Sequence, residues 1–149
     1  MKQGLVVVED SEEYRELLHE ACEHASGADV DLLFLVTLTD EEYEADVETL
    51  ESIKSVEDVS YDVFATAEKS VRDTVDDVLS EYEVEYDIVV RVVSDDKRAQ
   101  AVVDVGDEEG CDHAFILGRQ RSPTGKALFG DFAQKVILNF DGFVTIATA

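Results

Sequence analysis

Residues 31–38, Asp-Leu-Leu-Phe-Leu-Val-Thr-Leu, are apolar at every position but the first and the seventh. A strand with one wet face alternates apolar and polar residues, so this run reads as a central strand buried on both faces. Such a strand needs helices above and below it. Residues 4–8 (Gly-Leu-Val-Val-Val) form a second short buried strand, after which Asp10 or Ser11 can cap a helix running to about Ala25. In that helix Tyr14, Leu17, Leu18, Ala21, Cys22 and Ala25 share one face at spacings of three and four. Residues 40–57 are acidic and amphipathic at best, and read as a long excursion or a broken helix.

A helix over about 61–81 carries Val63, Phe64, Ala67, Val71, Val75, Val78 and Leu79 at helical spacing. Residues 84–93 read as a strand whose first half alternates like a half-exposed edge. There follow a helix at about 96–109 with Ala99, Val102, Val103 and Val105 or Gly106 inward, a strand at 112–117, a loop at 118–129, a helix at about 130–140 and a last strand at 143–148. Five strands alternating with four helices predict an α/β three-layer sandwich around a mainly parallel sheet, in one domain spanning 1–149. In such sheets ligands bind beyond the carboxyl ends of the strands, where strand order reverses. The loops after Val8, Val36 and Leu117 are the places to look.

Charge narrows the function. The chain has 36 acidic and 12 basic residues, a net charge of −24 and six lysines. It repels DNA, RNA and anionic lipid surfaces at long range, so nucleic-acid and membrane partners are not expected. Acids spread over helical segments suit concentrated salt, where screening shrinks to a few ångströms. A halophilic cytoplasm is the setting this implies, with an acidic protein that binds cations or a basic partner as the alternative. No apolar stretch approaches the roughly 20 residues of a membrane span or the makeup of a signal peptide. Cys22 and Cys111 lack CxxC spacing and read as reduced thiols.

One segment breaks the acidic pattern. Residues 118–130, Gly-Arg-Gln-Arg-Ser-Pro-Thr-Gly-Lys-Ala-Leu-Phe-Gly, hold three of the eight glycines, the only proline, three basic residues and no acid. Phosphate binding suits this arrangement between a strand and a helix. Glycines let the backbone approach oxygens, helix amides point at the anion, and Arg or Lys balance its charge. Ser122 and Thr124 are further candidate donors. The alternative is a turn-rich connection whose basic residues pair with neighbouring acids. It is not a Walker loop: six residues separate Gly118 from Gly125-Lys126, and Ala127 stands where that motif carries the hydroxyl that binds magnesium.

On these residues, together with the opening Val-Val-Val-Glu-Asp-Ser-Glu-Glu and the segment from Ile116 to Ile137, the chain resembles the universal stress proteins over nearly its whole length. The resemblance implies a five-stranded parallel sheet in order 3-2-1-4-5 of the adenine-nucleotide alpha-hydrolase-like type. It also implies dimerisation through the last strand and, in one branch, ATP binding, with Mg2+ as companion ion. The family pattern is G-x2-G-x9-G-[ST]. Gly118 matches its first glycine, Arg121 stands at the second, and Gly130 matches the last if the loop is one residue shorter. Asp131 then replaces the Ser or Thr. Its carboxylate repels polyphosphate, and it can instead serve as a helix N-cap. By the same resemblance Gly118, Arg119, Arg121, Lys126 and the Gly130 amide surround the phosphates, while Val8, Glu9, Val36 and Leu117 line the nucleoside.

Other constellations carry less. His19 and His24 are five apart on one helix, a poor spacing for two ligands, and Cys111, Asp112 and His113 alternate faces, so no metal is expected. The Asp76-Asp77 and Asp95-Asp96 pairs read as solvated faces or caps. No positioned base is identifiable, so no catalytic residue is assigned and any ATP hydrolysis would be slow. The first reading is therefore a cytoplasmic regulatory stress protein binding ATP or a related adenine nucleotide. The second is a homodimeric stress or signalling protein that binds no nucleotide and acts through protein partners. The uncharged, β-prone end Phe-Val-Thr-Ile-Ala-Thr-Ala makes a dimer plausible on either, since an open edge strand invites pairing.

Overall fold

The computed structural model of the chain describes residues 2–8, 13–51, 59–118 and 130–148, with the side chains of 49–51 and 59–62 left aside. The elements run β1 (Gly4–Val7), α1 (Glu13–Ala28), β2 (Leu32–Leu38), α2 (Asp40–Glu51), α3 (Val59–Leu79), β3 (Tyr86–Val92), α4 (Arg98–Glu109), β4 (His113–Gly118), α5 (Gly130–Asn139) and β5 (Phe143–Thr148). A 3-10 turn, Asp95–Lys97, leads into α4. All strands are parallel, in the order β3-β2-β1-β4-β5.

Alternation along the strands divides the interior in two. Val6, Phe34, Val36 and Phe115 face α1 and α3, packing with Leu17, Leu18, Ala21, Val71 and Val75. Leu5, Val7, Leu33, Leu35, Ala114 and Ile116 face α4 and α5, packing with Ala99, Val102, Val105, Ala133 and Val136. All six inward residues read from the periodicity of α1 are buried. Each fully buried aliphatic or aromatic side chain contributes roughly 1.5–3 kcal/mol by leaving water, so the central strands dominate the stability of the sheet.

The described elements include five α-helices where four were expected. The additional one is α2, in the stretch read as an excursion or broken helix. Its start has a local cause. The Thr39 hydroxyl accepts the Glu42 amide at 3.1 Å and donates to Glu42 Oε1 at 3.1 Å. Asp40, Glu41 and Glu42 fill the first turn, where carboxylates are stabilised by the helix dipole. Tyr43 meets the Phe64 ring of α3 at 5.9 Å between centroids. Thr39→Ala is expected to lower stability by about 1 kcal/mol, seen as a reduced urea midpoint at unchanged slope. Both members of the Asp76-Asp77 pair also hold defined partners: Tyr86 Oη donates to Asp76 at 2.6 Å, and Arg15 pairs with Asp77 at 2.6 Å. Among the described residues no helix is long and apolar enough to cross a membrane.

Candidate functional site

Strand order reverses at β1, whose neighbours are the next strand in sequence, β2, and the much later β4. Val7 pairs with Leu35 and Val6 with Phe115. The ladder continues one step further, since the Val8 amide donates to the Leu35 carbonyl at 2.9 Å. Val36, Val8, Leu117 and Ala147 therefore follow one another across the carboxyl ends of four strands, on the α1/α3 face. Val36 is buried, and Val8 and Leu117 are half-buried. This is an apolar shelf of the kind a flat heterocycle can cover. Three of the four residues read as lining a nucleoside are thus adjacent. The fourth, Glu9, lies outside the described residues.

The shelf ends at Gly118, the last residue of β4, paired with Thr148. A Cβ there would come within 2.7 Å of Ile146 Cγ2, so the glycine also answers to sheet packing. Gly130 opens α5 with φ of 75°, a left-handed conformation that glycine adopts without strain. Asp131 is exposed in the first turn of α5. Because the helix already includes Gly130, Asp131 sits inside its first turn and not at the N-cap position proposed for it. Arg119, Arg121, Ser122, Thr124 and Lys126 lie outside the described residues.

Sequence reasoning passed over Arg98. This first residue of α4 reaches back across the sheet, its Nε donating to Thr37 Oγ1 at 3.0 Å. Its guanidinium carbon lies 5.0 Å from the centre of the Phe132 ring. Arg98 therefore links the carboxyl end of β2 to the first turn of α5, on the face opposite the apolar shelf. No periodicity reports such a contact, since the three residues come from three separate elements.

With this arrangement in view, the comparison with known proteins is decisive at the level of family: the model of the universal stress protein family matches residues 1–147. The chain belongs to the universal stress protein family. Solved members share its fold. A universal stress protein from Archaeoglobus fulgidus is 24% identical with a TM-score of 0.66, covering 98% of each chain. An A. fulgidus universal stress protein in complex with dAMP is 18% identical with a TM-score of 0.64, covering 98% of this chain and 97% of its own. A universal stress protein in complex with cAMP is 15% identical with a TM-score of 0.61, covering 99% of this chain and 96% of its own. No curated protein matches the sequence.

The opposite, amino-terminal pole of this family member gathers its titratable groups differently. His24 and His113, far apart in sequence, bring their ring centroids to 5.7 Å. His113 stacks on Phe115 at 4.3 Å, and its Nε2 lies 2.7 Å from Thr145 Oγ1 on β5. His24 Nε2 meets Glu20 Oε1 at 3.0 Å, while His19 Nδ1 lies 3.2 Å from Tyr82 Oη. Asp112 accepts the Lys2 amide at 2.8 Å, and burial raises the Cys111 thiol to about 11 and the Cys22 thiol to about 12, so neither is a reactive nucleophile. Among the described residues no group of three or more His, Cys, Asp or Glu side chains is arranged to hold a metal ion.

Burial first, then the neighbouring His24, pushes His113 below its ordinary pKa of 6.5, with Asp112 acting the other way. A histidine with a lowered folded pKa binds protons more readily when unfolded. Its contribution is complete above pH 6.5 and is lost as pH falls through the lower folded value. The urea midpoint is expected to drop on mild acidification, and His113→Phe, which keeps a ring against Phe115, is expected to flatten that part of the profile. An unchanged profile in the variant would assign the acid sensitivity elsewhere.

Proposed function

We propose that the chain is a single universal stress protein domain, cytoplasmic and adapted to concentrated salt, that binds ATP or a related adenine nucleotide and acts in regulation. The observation that carries this reading is the junction at Gly118. There an apolar shelf across the strand ends meets the one acid-free, basic segment of the chain. Val8, Glu9, Val36 and Leu117 would hold the nucleoside. Gly118, Arg119, Arg121, Lys126 and the Gly130 amide would hold the phosphates, with Asp131 at their edge. The dAMP and cAMP complexes of relatives support an adenine nucleotide as the ligand. With ATP, Mg2+ would accompany the nucleotide and offset phosphate charge, and since Asp131 stands in place of a hydroxyl, its carboxylate is what the chain would offer that ion. The role is binding, with hydrolysis at most slow.

Titration calorimetry with ATP and Mg2+ in molar potassium chloride tests the reading, and a micromolar dissociation constant is expected. No heat at protein concentrations far above that range would overturn it. A second reading then takes its place, a homodimer through β5 that works through protein partners without nucleotide. It is favoured by the open edge of β5 and by Phe143, which is 71% exposed at its start. Either way, nucleic acid and membranes are not partners of so acidic a surface.

A further inference from the structure

We infer that His113, with His24 beside it, is a pH-sensitive catch on the edge strand β5, proton uptake by His113 loosening the seating of β5 on β4. The inference stands apart from both functional readings above, since it concerns the amino-terminal pole and needs no ligand. Strand β5 is bonded on one side only, to β4, and none of its residues is fully buried. Its Val144 and Ile146 pack toward α4 and α5, while its other face meets His113. There Thr145 Oγ1 lies 2.7 Å from His113 Nε2, and the Phe143 ring lies 5.9 Å from the imidazole. Phe115 stacks on the same ring at 4.3 Å, and His24 of α1 approaches to 5.7 Å. His113 is thus half-buried between α1, β4 and β5.

Part of that enclosure belongs to β5, so the ring becomes wetter when the strand lifts away. Water solvates an imidazolium, and the wetter ring binds a proton more readily. Burial is the largest influence on His113 and opposes the proton, as do the neighbouring His24 and the amino terminus, while Asp112 favours it. On the α1 side Glu20 is the carboxylate, 3.0 Å from His24 Nε2, and β5 brings no charged group. The seated ring therefore lies below its ordinary pKa of 6.5, and the seating is complete above that pH and weakens as pH falls. A strand held by a single ladder can respond locally, without the rest of the sheet. Molar salt screens the charge of His24 but not the cost of drying an imidazolium, so the effect persists in strong potassium chloride.

Hydrogen–deuterium exchange tests this in molar potassium chloride at about pH 7.5 and 5.5, with rates corrected for the intrinsic pH dependence of amides. The β5 amides are compared with those of β3, the other edge of the sheet, which carries no histidine. Wild-type β5 is expected to lose protection by up to about tenfold at the lower pH, while β3 keeps its own. Tenfold is the limit for a histidine of ordinary pKa 6.5 in the open strand. His113→Gln is expected to remove the pH difference, whatever its protection at the higher pH. If wild-type β5 is equally protected at both pH values, the inference is overturned. A loss shared equally by β3 marks global unfolding and overturns it too. So does a full drop retained in His113→Gln, or one that vanishes at tenfold higher protein concentration and so reports departure of a second copy. Should His113→Gln fail to fold, His113→Phe, which keeps a ring on Phe115, takes its place with the same two outcomes.

Discussion

Gly142→Ala is expected to lower stability by about 3 kcal/mol, combining a strained backbone with a steric clash. Gly142 has φ of 138° and joins α5 to β5. A Cβ at this position would lie far inside contact with the carbonyl oxygen of Asp112. That oxygen cannot retreat freely, because it accepts the Phe143 amide at 2.9 Å and so starts the pairing of β5 with β4. Asp112 also binds the amides of Lys2 and Gln3 through its carboxylate, so one residue gathers the amino ends of three strands. Against a total stability of about 5–15 kcal/mol for a domain, the loss is large. Urea unfolding measures it, with Gly27→Ala as control. Gly27 lies in α1 with open space around its Cβ position, so alanine there is expected to leave stability unchanged or raise it slightly. Equal midpoints for the two variants would refute the steric account.

The second large effect concerns binding, and two substitutions should move it in opposite directions. Arg121→Ala is expected to weaken ATP by roughly tenfold or more, as loss of a charge-assisted contact does. Asp131→Ser is expected to strengthen it several-fold, because it removes a repelling carboxylate and supplies the hydroxyl of the family pattern. In molar salt, screening acts within roughly 3 Å, so a surviving effect would report contact and not long-range attraction. If Arg121→Ala matches wild type, the segment is not the phosphate site. Should ATP bind only after Asp131→Ser, the scaffold persists in a member that has given up the ligand, and partners through β5 become the function to pursue.

Elements with a strong period were legible, and those with a local or long-range cause were not. The inward face of α1, the doubly buried β2 and the half-exposed β3 each follow from which residues recur at which spacing. The helix α2 did not, because its residues show little apolar stripe. What starts it is the single Thr39–Glu42 exchange, a cue two residues wide inside an acidic run. The shelf of Val36, Val8 and Leu117 was partly legible, since strand ends at a point of order reversal can be found once strands are placed. Arg98 beside Thr37 and Phe132, and His24 beside His113, could not be read at all. Each contact depends on the lateral placement of elements that no local pattern specifies.

The position of β1 between its two neighbours has a bearing on how the chain comes together. Gly4 pairs with Leu32 on one side and with His113 on the other. A growing chain can complete the first pairing early, but the second only after most of the sequence has been made. Until then β1 is held by one edge alone, with its other edge open and its side chains apolar on both faces, a state prone to pairing with other chains. Closing that gap joins the two paired strands that lie furthest apart in sequence, which makes it an entropically costly step and a late one. Every partly synthesised molecule therefore passes through a half-sheet with an open seam, and the arrival of β4 seals that seam around β1, leaving β3 and β5 as the edges of the finished sheet.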